Sequence, residues 1–315
     1  MNHRTKKDEM ETITFPNGTI TMSGNLFTPE GFDPAVKYPA IVTVHPGGGV
    51  KEQTAGLYAE KFAAQGYVTL AFDASFQGDS GGEPRHLEDP AARVEDVRAA
   101  VDYLQSLAFV DAERIGAFGV CAGGGYTVNA ALTEYRIKAL GTVSAVNIGT
   151  AFRRDWLGLN PDSAAVPTLQ GVAQQRTAEA QGAEIMHIPY VPVEPDENTP
   201  RDLAEASEYY LTPRACHPNA GNKFQFTRSI SRIFTFDAFH LLEELLQQPL
   251  IVIAGSEAES LWMSTELFGR ARTAGKEFHL IDGAGHMDLY DVAQYVDQAV
   301  AKATTFFGTH LAAQS

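Results

Sequence analysis

Short β-branched runs and amphipathic stretches alternate along most of this chain. Ile13-Thr14-Phe15, a Pro16-Asn17-Gly18 turn and Thr19–Met22 predict a hairpin, because Asn-Gly supplies the positive φ that a tight turn needs. Pro39–Val44 predicts a strand buried on both faces. A helix is predicted over 54–65, closed by Gly66, then a strand over 67–72. Between 93 and 108, Val94, Val97, Val101, Leu104 and Leu107 fall on one helical face. A strand at 114–120, a helix from Ala122 and a strand at 139–146 follow. The rhythm then lapses over 151–248, which carries Pro189, Pro192, Pro195, Pro200 and scattered aromatics. It resumes with a strand at 250–254, a helix at 260–274, a strand at 278–281 and a last helix at 288–307.

Such alternation predicts an α/β fold: a mostly parallel central sheet with helices on both faces. Residues 1–150 and 249–315 would form the core, and 151–248 a lid or cap inserted above it. Its aromatics, Tyr190, Tyr209, Tyr210, Phe224, Phe226, Phe234, Phe236 and Phe239, would line a pocket or form the lid's own small core.

Composition narrows the function. With 24 Lys plus Arg against 39 Asp plus Glu, the 315-residue chain carries −15 at neutral pH, which argues against a nucleic-acid partner. No run of 18 apolar residues predicts a membrane span. The charged start MNHRTKKDEMET lacks the apolar stretch of a signal peptide. Two cysteines cannot build a disulfide framework, so a reducing, cytoplasmic setting is expected.

One of those cysteines stands apart. Gly119-Val120-Cys121-Ala122-Gly123-Gly124 spans a strand-to-helix junction, the pattern of a nucleophile elbow with cysteine in place of serine. The helix N-terminus should favour the thiolate and lower the Cys121 pKa, and the Ala122 N–H would face a developing oxyanion. His45-Pro46-Gly47-Gly48-Gly49 follows the buried strand at 39–44, as expected of a loop supplying the second donor from Gly47 or Gly48. Of nine histidines, His286 follows the last strand within Gly283–Asp288, so the order nucleophile, acid, histidine assigns it the base. The acid should then lie just after Ala254: Glu257 or Glu259, with Glu259 preferred because it lets the chain turn over the strand end. Asp288 is a further candidate for the acid, though two residues after the histidine it is expected to cap the last helix, and Cys216 has no supporting pattern. Arg153, Arg154, Arg214 and Arg232 would bind an anionic substrate or pair with the acidic surplus, and surface pairing is the expectation. No C-x-x-C, H-E-x-x-H or phosphate-binding glycine loop occurs, so neither metal nor nucleotide is expected.

The segments HPGGGVKEQTAG (45–56), AFDASFQGDSGGEPR (71–85), GVCAGGGY (119–126), FDAFHL (236–241) and GAGHMDLYD (283–291) resemble the α/β-hydrolase superfamily. More narrowly, the chain is similar to bacterial dienelactone-hydrolase-like proteins and the fungal polyketide transferase and thiohydrolase group. That resemblance implies a cofactor-free enzyme with Cys121 as nucleophile and His286 as base. The acid in such proteins is usually Asp, where this chain offers Glu257 and Glu259. The loop at 73–82 resembles a motif of that superfamily and is expected to shape the pocket floor. The expected function is hydrolysis of activated esters, lactones or thioesters through an acyl-cysteine, on a small-molecule acyl substrate. Acyl transfer at the same site and a non-catalytic ligand-binding role are the alternatives, and a homo-oligomer stays open.

Overall fold

A computed structural model describes residues 10–313; the first nine residues of the charged N-terminal stretch, His3 among them, lie outside it. Eight strands form one sheet. β1 (Met10–Asn17) and β2 (Ile20–Phe27) make the predicted hairpin, and β2 runs antiparallel to β4 (Val68–Phe72). From there β3 (Tyr38–Val44), β5 (Val110–Val120), β6 (Ile137–Val143), β9 (Leu250–Gly255) and β10 (Glu277–Ile281) are parallel, in the order β1-β2-β4-β3-β5-β6-β9-β10.

Strand periodicity sorts the core into two layers. Ala40, Val42 and Val44 of β3, Ala117 of β5 and Val252 of β9 point to one face, against α2 (Pro90–Ser106), α3 (Ala122–Ala131) and α9 (Leu261–Arg270). Ile41, Phe118, Val120 and Ile253 point to the other, against α1 (Thr54–Ala63) and α11 (Ala293–His310). This is the predicted two-sided α/β arrangement. Among the described residues no helix is long and apolar enough to cross a membrane.

Two departures from the predicted elements matter for the site. The single helix expected over 288–307 is broken at the extended residue Val292, leaving α10 (Asp288–Asp291) ahead of α11. The Tyr58 hydroxyl donates to the Leu289 carbonyl at 2.9 Å, taking an acceptor that a continuous helix would use for itself. Between β6 and β9, the segment without an evident rhythm contains α4 (Ile148–Arg154), α5 (Val166–Ala180), α6 (Arg201–Leu211), α7 (Phe226–Thr235), α8 (Leu242–Leu245) and a two-stranded ribbon, β7 (His187–Ile188) with β8 (Phe224–Gln225). α7 is amphipathic, burying Ile230, Ile233 and Phe234 at the i, i+3, i+4 spacing. α5 buries only Val172, so its sequence shows no apolar stripe.

The loop after β4 does not form a pocket floor. It staples the loop after β3 in place. Asp73, fully buried, accepts from the Lys51 N–H and Nζ and from the Asp79 N–H, each at 2.8 Å. Asp79 and Glu52 complete the shell around Lys51 Nζ at 2.7 and 2.6 Å. This carboxylate cluster is thus organised around an ammonium. Burial alone would lower the Lys51 pKa, but Asp73 and its neighbours hold it above the ordinary value. Gly78, at φ +52°, lies so close to Asp73 that a β-carbon there would overlap the carboxylate. Replacing Lys51 with Met should leave the Asp73 charge buried and uncompensated, costing about 3–5 kcal/mol in urea unfolding.

Candidate active site

The backbone is tightly constrained at Cys121. It joins β5 to α3 at φ +55°, ψ −124°, a region that side chains other than hydrogen disfavour. Three hydrogen bonds hold it there: its N–H donates to Val143 O, and its carbonyl accepts from the Gly124 and Val146 N–H groups. The flanking glycines are required by contact. A β-carbon on Gly119 would strike the Gly123 carbonyl, and one on Gly123 would strike the carbonyl oxygens of Val44 and His45. The first turn of α3 is therefore pressed against the end of β3, which brings Ala122 beside Gly47.

His45 fixes the backbone on that side. Its Nε2 accepts from the Ala74 N–H at 3.1 Å, so its Nδ1 carries the proton and donates to Pro46 O at 2.7 Å. Burial, with Arg93 adding to it, holds its pKa well below the usual value, leaving it neutral. The buried Arg93 guanidinium donates to His45 O at 2.6 Å. The two glycines after Pro46 differ. Gly47 borders the cavity, whereas Gly48, at φ +74°, is covered by the Tyr190 ring.

Cys121, Ala122, Gly47 and His286 meet at a cavity of about 400 Å³. Its walls are mostly apolar, with Ile148, Phe152 and Trp156 on one side and Tyr190, Tyr210 and Phe224 on another. Of the other insertion aromatics, Tyr209, Phe234 and Phe239 are buried in the packed core, and Phe236 packs on Tyr126. Arg153 and Arg154 pair with Asp162, Arg214 with Asp291 and Arg232 with Asp89.

His286 is brought in by two laced loops. The Ser256 N–H donates to Ile281 O at 3.0 Å, Glu257 N–H to Ala284 O at 2.9 Å, and Gly283 N–H to Ser256 Oγ at 2.8 Å. This lacing does not deliver either expected glutamate to the imidazole. Glu257 is exposed. Glu259 accepts the Asp202 N–H at 3.0 Å, at the start of α6. The partner of His286 Nδ1 is instead Ser260 Oγ, at 2.6 Å. The turn closed by the Leu261 N–H to Ala258 O bond carries residue 259 outward and residue 260 inward, which the residue count alone does not reveal. Asp288 accepts the Gly285 N–H at 2.8 Å at the start of α10, a turn-closing role.

The second unexpected residue is Tyr290. Its hydroxyl acts on the Cys121 thiol, favouring the charged sulfur, and stands 3.3 Å from His286 Nε2, so it neighbours both groups. The expected low thiol pKa is overturned. Burial pushes Cys121 up to about 11, outweighing the Tyr290 hydroxyl, the Ala122 N–H and the positive field of Arg93, while Asp202 adds to the rise. Burial also lowers the His286 pKa, against Asp202, which raises it. Thiol and imidazole are both neutral at pH 7.

A family model for dienelactone hydrolases matches residues 22–145, from β2 through β6. YcjY of Escherichia coli K12 is 48% identical over 291 residues, covering 92% of this chain and 95% of that protein. The chain belongs to the dienelactone hydrolase family. Family and sheet topology together make it a hydrolase of the α/β-hydrolase type. The crystal structure of PA2218 from Pseudomonas aeruginosa superposes with TM-score 0.88 at 32% identity, covering 96% of this chain and 94% of that one. A thiohydrolase from Eupenicillium brefeldianum is 26% identical over 282 residues, covering 88% of this chain and 86% of that protein.

A neutral, enclosed thiol should alkylate slowly. With iodoacetamide at pH 7, Cys121 should label about 10–100-fold more slowly than the exposed Cys216, with its rate climbing toward pH 11. Peptide mapping of the two cysteines checks this; rapid labelling of Cys121 at pH 7 would contradict it.

Proposed function

We propose that this hydrolase cleaves thioesters and activated esters or lactones of uncharged acyl groups through an acyl-Cys121 intermediate. The observation that carries the reading is that Cys121, Tyr290 and His286 meet at an apolar cavity, with the Tyr290 hydroxyl 3.3 Å from His286 Nε2. In the acylation step Sγ attacks the carbonyl carbon. The thiol proton passes to the Tyr290 oxygen as the Tyr290 proton passes to His286 Nε2, so no free thiolate is needed. The carbonyl oxygen takes the electron pair and rests on the N–H groups of Ala122 and Gly47. Collapse expels the alcohol or thiol, which leaves with the proton returned from His286. Water then attacks the thioester carbonyl with His286 as base, releasing the acid and restoring the thiol. Such a cycle calls for no cofactor. A thiolate is itself a good leaving group, so amides would revert rather than acylate.

Substrate charge follows from the walls. Among the described residues lining the cavity there is no Lys or Arg, while Asp155 and Asp202 are both present. A carboxylate on the acyl chain would be buried against like charge without a partner. The enclosing residues come largely from the insertion, which in this reading acts as the lid. The name of the fungal relative, a thiohydrolase, supports the thioester class.

Cys121→Ala should abolish turnover of acyl thioesters and p-nitrophenyl esters with its melting temperature within a few degrees of the parent; unchanged kinetics would sink the reading. Tyr290→Phe should lower kcat by about 10²-fold, in line with the loss of a positioned proton-transfer group. Hexanoyl thioesters should exceed their ω-carboxylated counterparts at least tenfold in kcat/KM, measured by thiol release. An added amine or alcohol nucleophile that raises thiol release and captures the acyl group would redirect the assignment to acyl transfer.

A further inference from the structure

The His286 imidazole receives no carboxylate directly, yet a carboxylate lies one residue beyond its partner. Asp202, in the first turn of α6, is fully buried. Its Oδ2 accepts the Ser260 N–H at 3.2 Å and the Trp156 Nε1–H at 3.0 Å. Its Oδ1 is enclosed without a hydrogen bond, with the half-exposed Arg201 guanidinium 3.8 Å away. Ser260 Oγ in turn lies 2.6 Å from His286 Nδ1. From this geometry we infer that Asp202, supplied by the insertion, is the acid of the site and positions His286 through Ser260. The inference rests on the acyl-cysteine reading.

Proton bookkeeping supports it. For Nε2 to accept a proton, Nδ1 must already carry one and donate it to Ser260 Oγ. The Ser260 hydroxyl makes no hydrogen bond to Asp202, whose Oδ1 is unpartnered, so the carboxylate acts by holding the Ser260 N–H and by its negative field on His286. When His286 becomes an imidazolium, the added charge is countered by Asp202 across the serine, without Asp202 taking the proton. Glu259 has a place in this arrangement, since its carboxylate holds the Asp202 N–H and so fixes the start of α6 against the loop after β9. The functional consequence is that the base is complete only while α6 is docked. An insertion that moves to admit substrate would disarm His286 until it returns.

The groups facing His286 are Cys121 from the elbow, Tyr290 from α10, and Asp202 with Trp156 from the insertion. Arg201 and Glu205 are the charged groups next to Asp202, and Asp288 and Arg214 act in turn on Glu205. Asp202→Asn keeps an oxygen for the Ser260 and Trp156 N–H groups but removes the charge. Because the Asp202 anion raises the His286 pKa, its loss should lower it. The acid limb of kcat/KM, where His286 is protonated and lost as a base, then moves to lower pH, and kcat falls at least tenfold with KM little changed. Asp202→Glu should recover part of both effects. A purely structural aspartate would lower activity without moving the limb, and an unmoved limb overturns the inference. Should Asp202→Asn fail to fold, Ser260→Ala and Ser260→Thr serve instead. The alanine should reproduce the shift and the tenfold loss and the threonine restore them, whereas full activity in Ser260→Ala overturns the inference. Intact-mass detection of acyl-Cys121 in the parent protein separates the two hypotheses. Acylation with an unshifted limb defeats only the role of Asp202, while absent acylation defeats the acyl-cysteine reading itself.

Discussion

The site depends on one contact between backbones. The start of α3 is pressed onto the end of β3 so closely that Gly123 leaves no room for a β-carbon beside Val44 O and His45 O. That approach forces Cys121 into positive φ and is why its N–H and carbonyl must be held by three hydrogen bonds. It also brings the Ala122 and Gly47 backbones to the same wall. The Lys51–Asp73 staple and the neutral His45 serve the same end from the other side, because they fix the loop on which Gly47 sits. Strain at Cys121 is thus sustained by the packing of three separate loops and not by any interaction of the thiol.

Burial decides the electrostatics of that thiol. A helix N-terminus and the Arg93 charge both favour thiolate, but removing the sulfur from water costs more, and Asp202 adds a like charge. The outcome is a resting pair without charge, with a tyrosine hydroxyl between thiol and imidazole. In the proposed reaction such a site stays chemically quiet until a carbonyl occupies the cavity, where the N–H groups of Ala122 and Gly47 would stabilise charge as it develops. The same enclosure underlies the proposal that the substrate carries an uncharged acyl group. Among the described residues its wall carries two aspartates and no lysine or arginine to meet an anion.

The parts of this arrangement legible in the sequence are those fixed by local rules. Alternating β-branched runs gave the strands because a strand buried on both faces needs apolar residues at successive positions. Cys121, His286, Gly47 and Ala122 could be named because each lies at a strand end, within a few residues of the element that orients it. Ser260, Asp202 and Tyr290 could not. Ser260 is selected over Glu259 by the turn that follows β9, a matter of one residue's direction. Asp202 comes from α6, nearly sixty residues before Ser260, and only tertiary docking joins them. Tyr290 reaches the thiol because Tyr58 takes the Leu289 carbonyl and the last helix is broken. The lapse of rhythm over 151–248 has a similar origin. The weakly buried α5 lacks a stripe, while the stripe of α7 spans only about two turns between irregular segments.

Intact-mass spectrometry of the parent protein, acid-quenched within the first turnover of a hexanoyl thioester, addresses the central claim most directly. The account predicts one added hexanoyl group, mapped to the peptide containing Cys121 and absent from Cys121→Ala. Product formed at the parent rate with no adduct at any quench time, together with thioester turnover by Cys121→Ala, would contradict it.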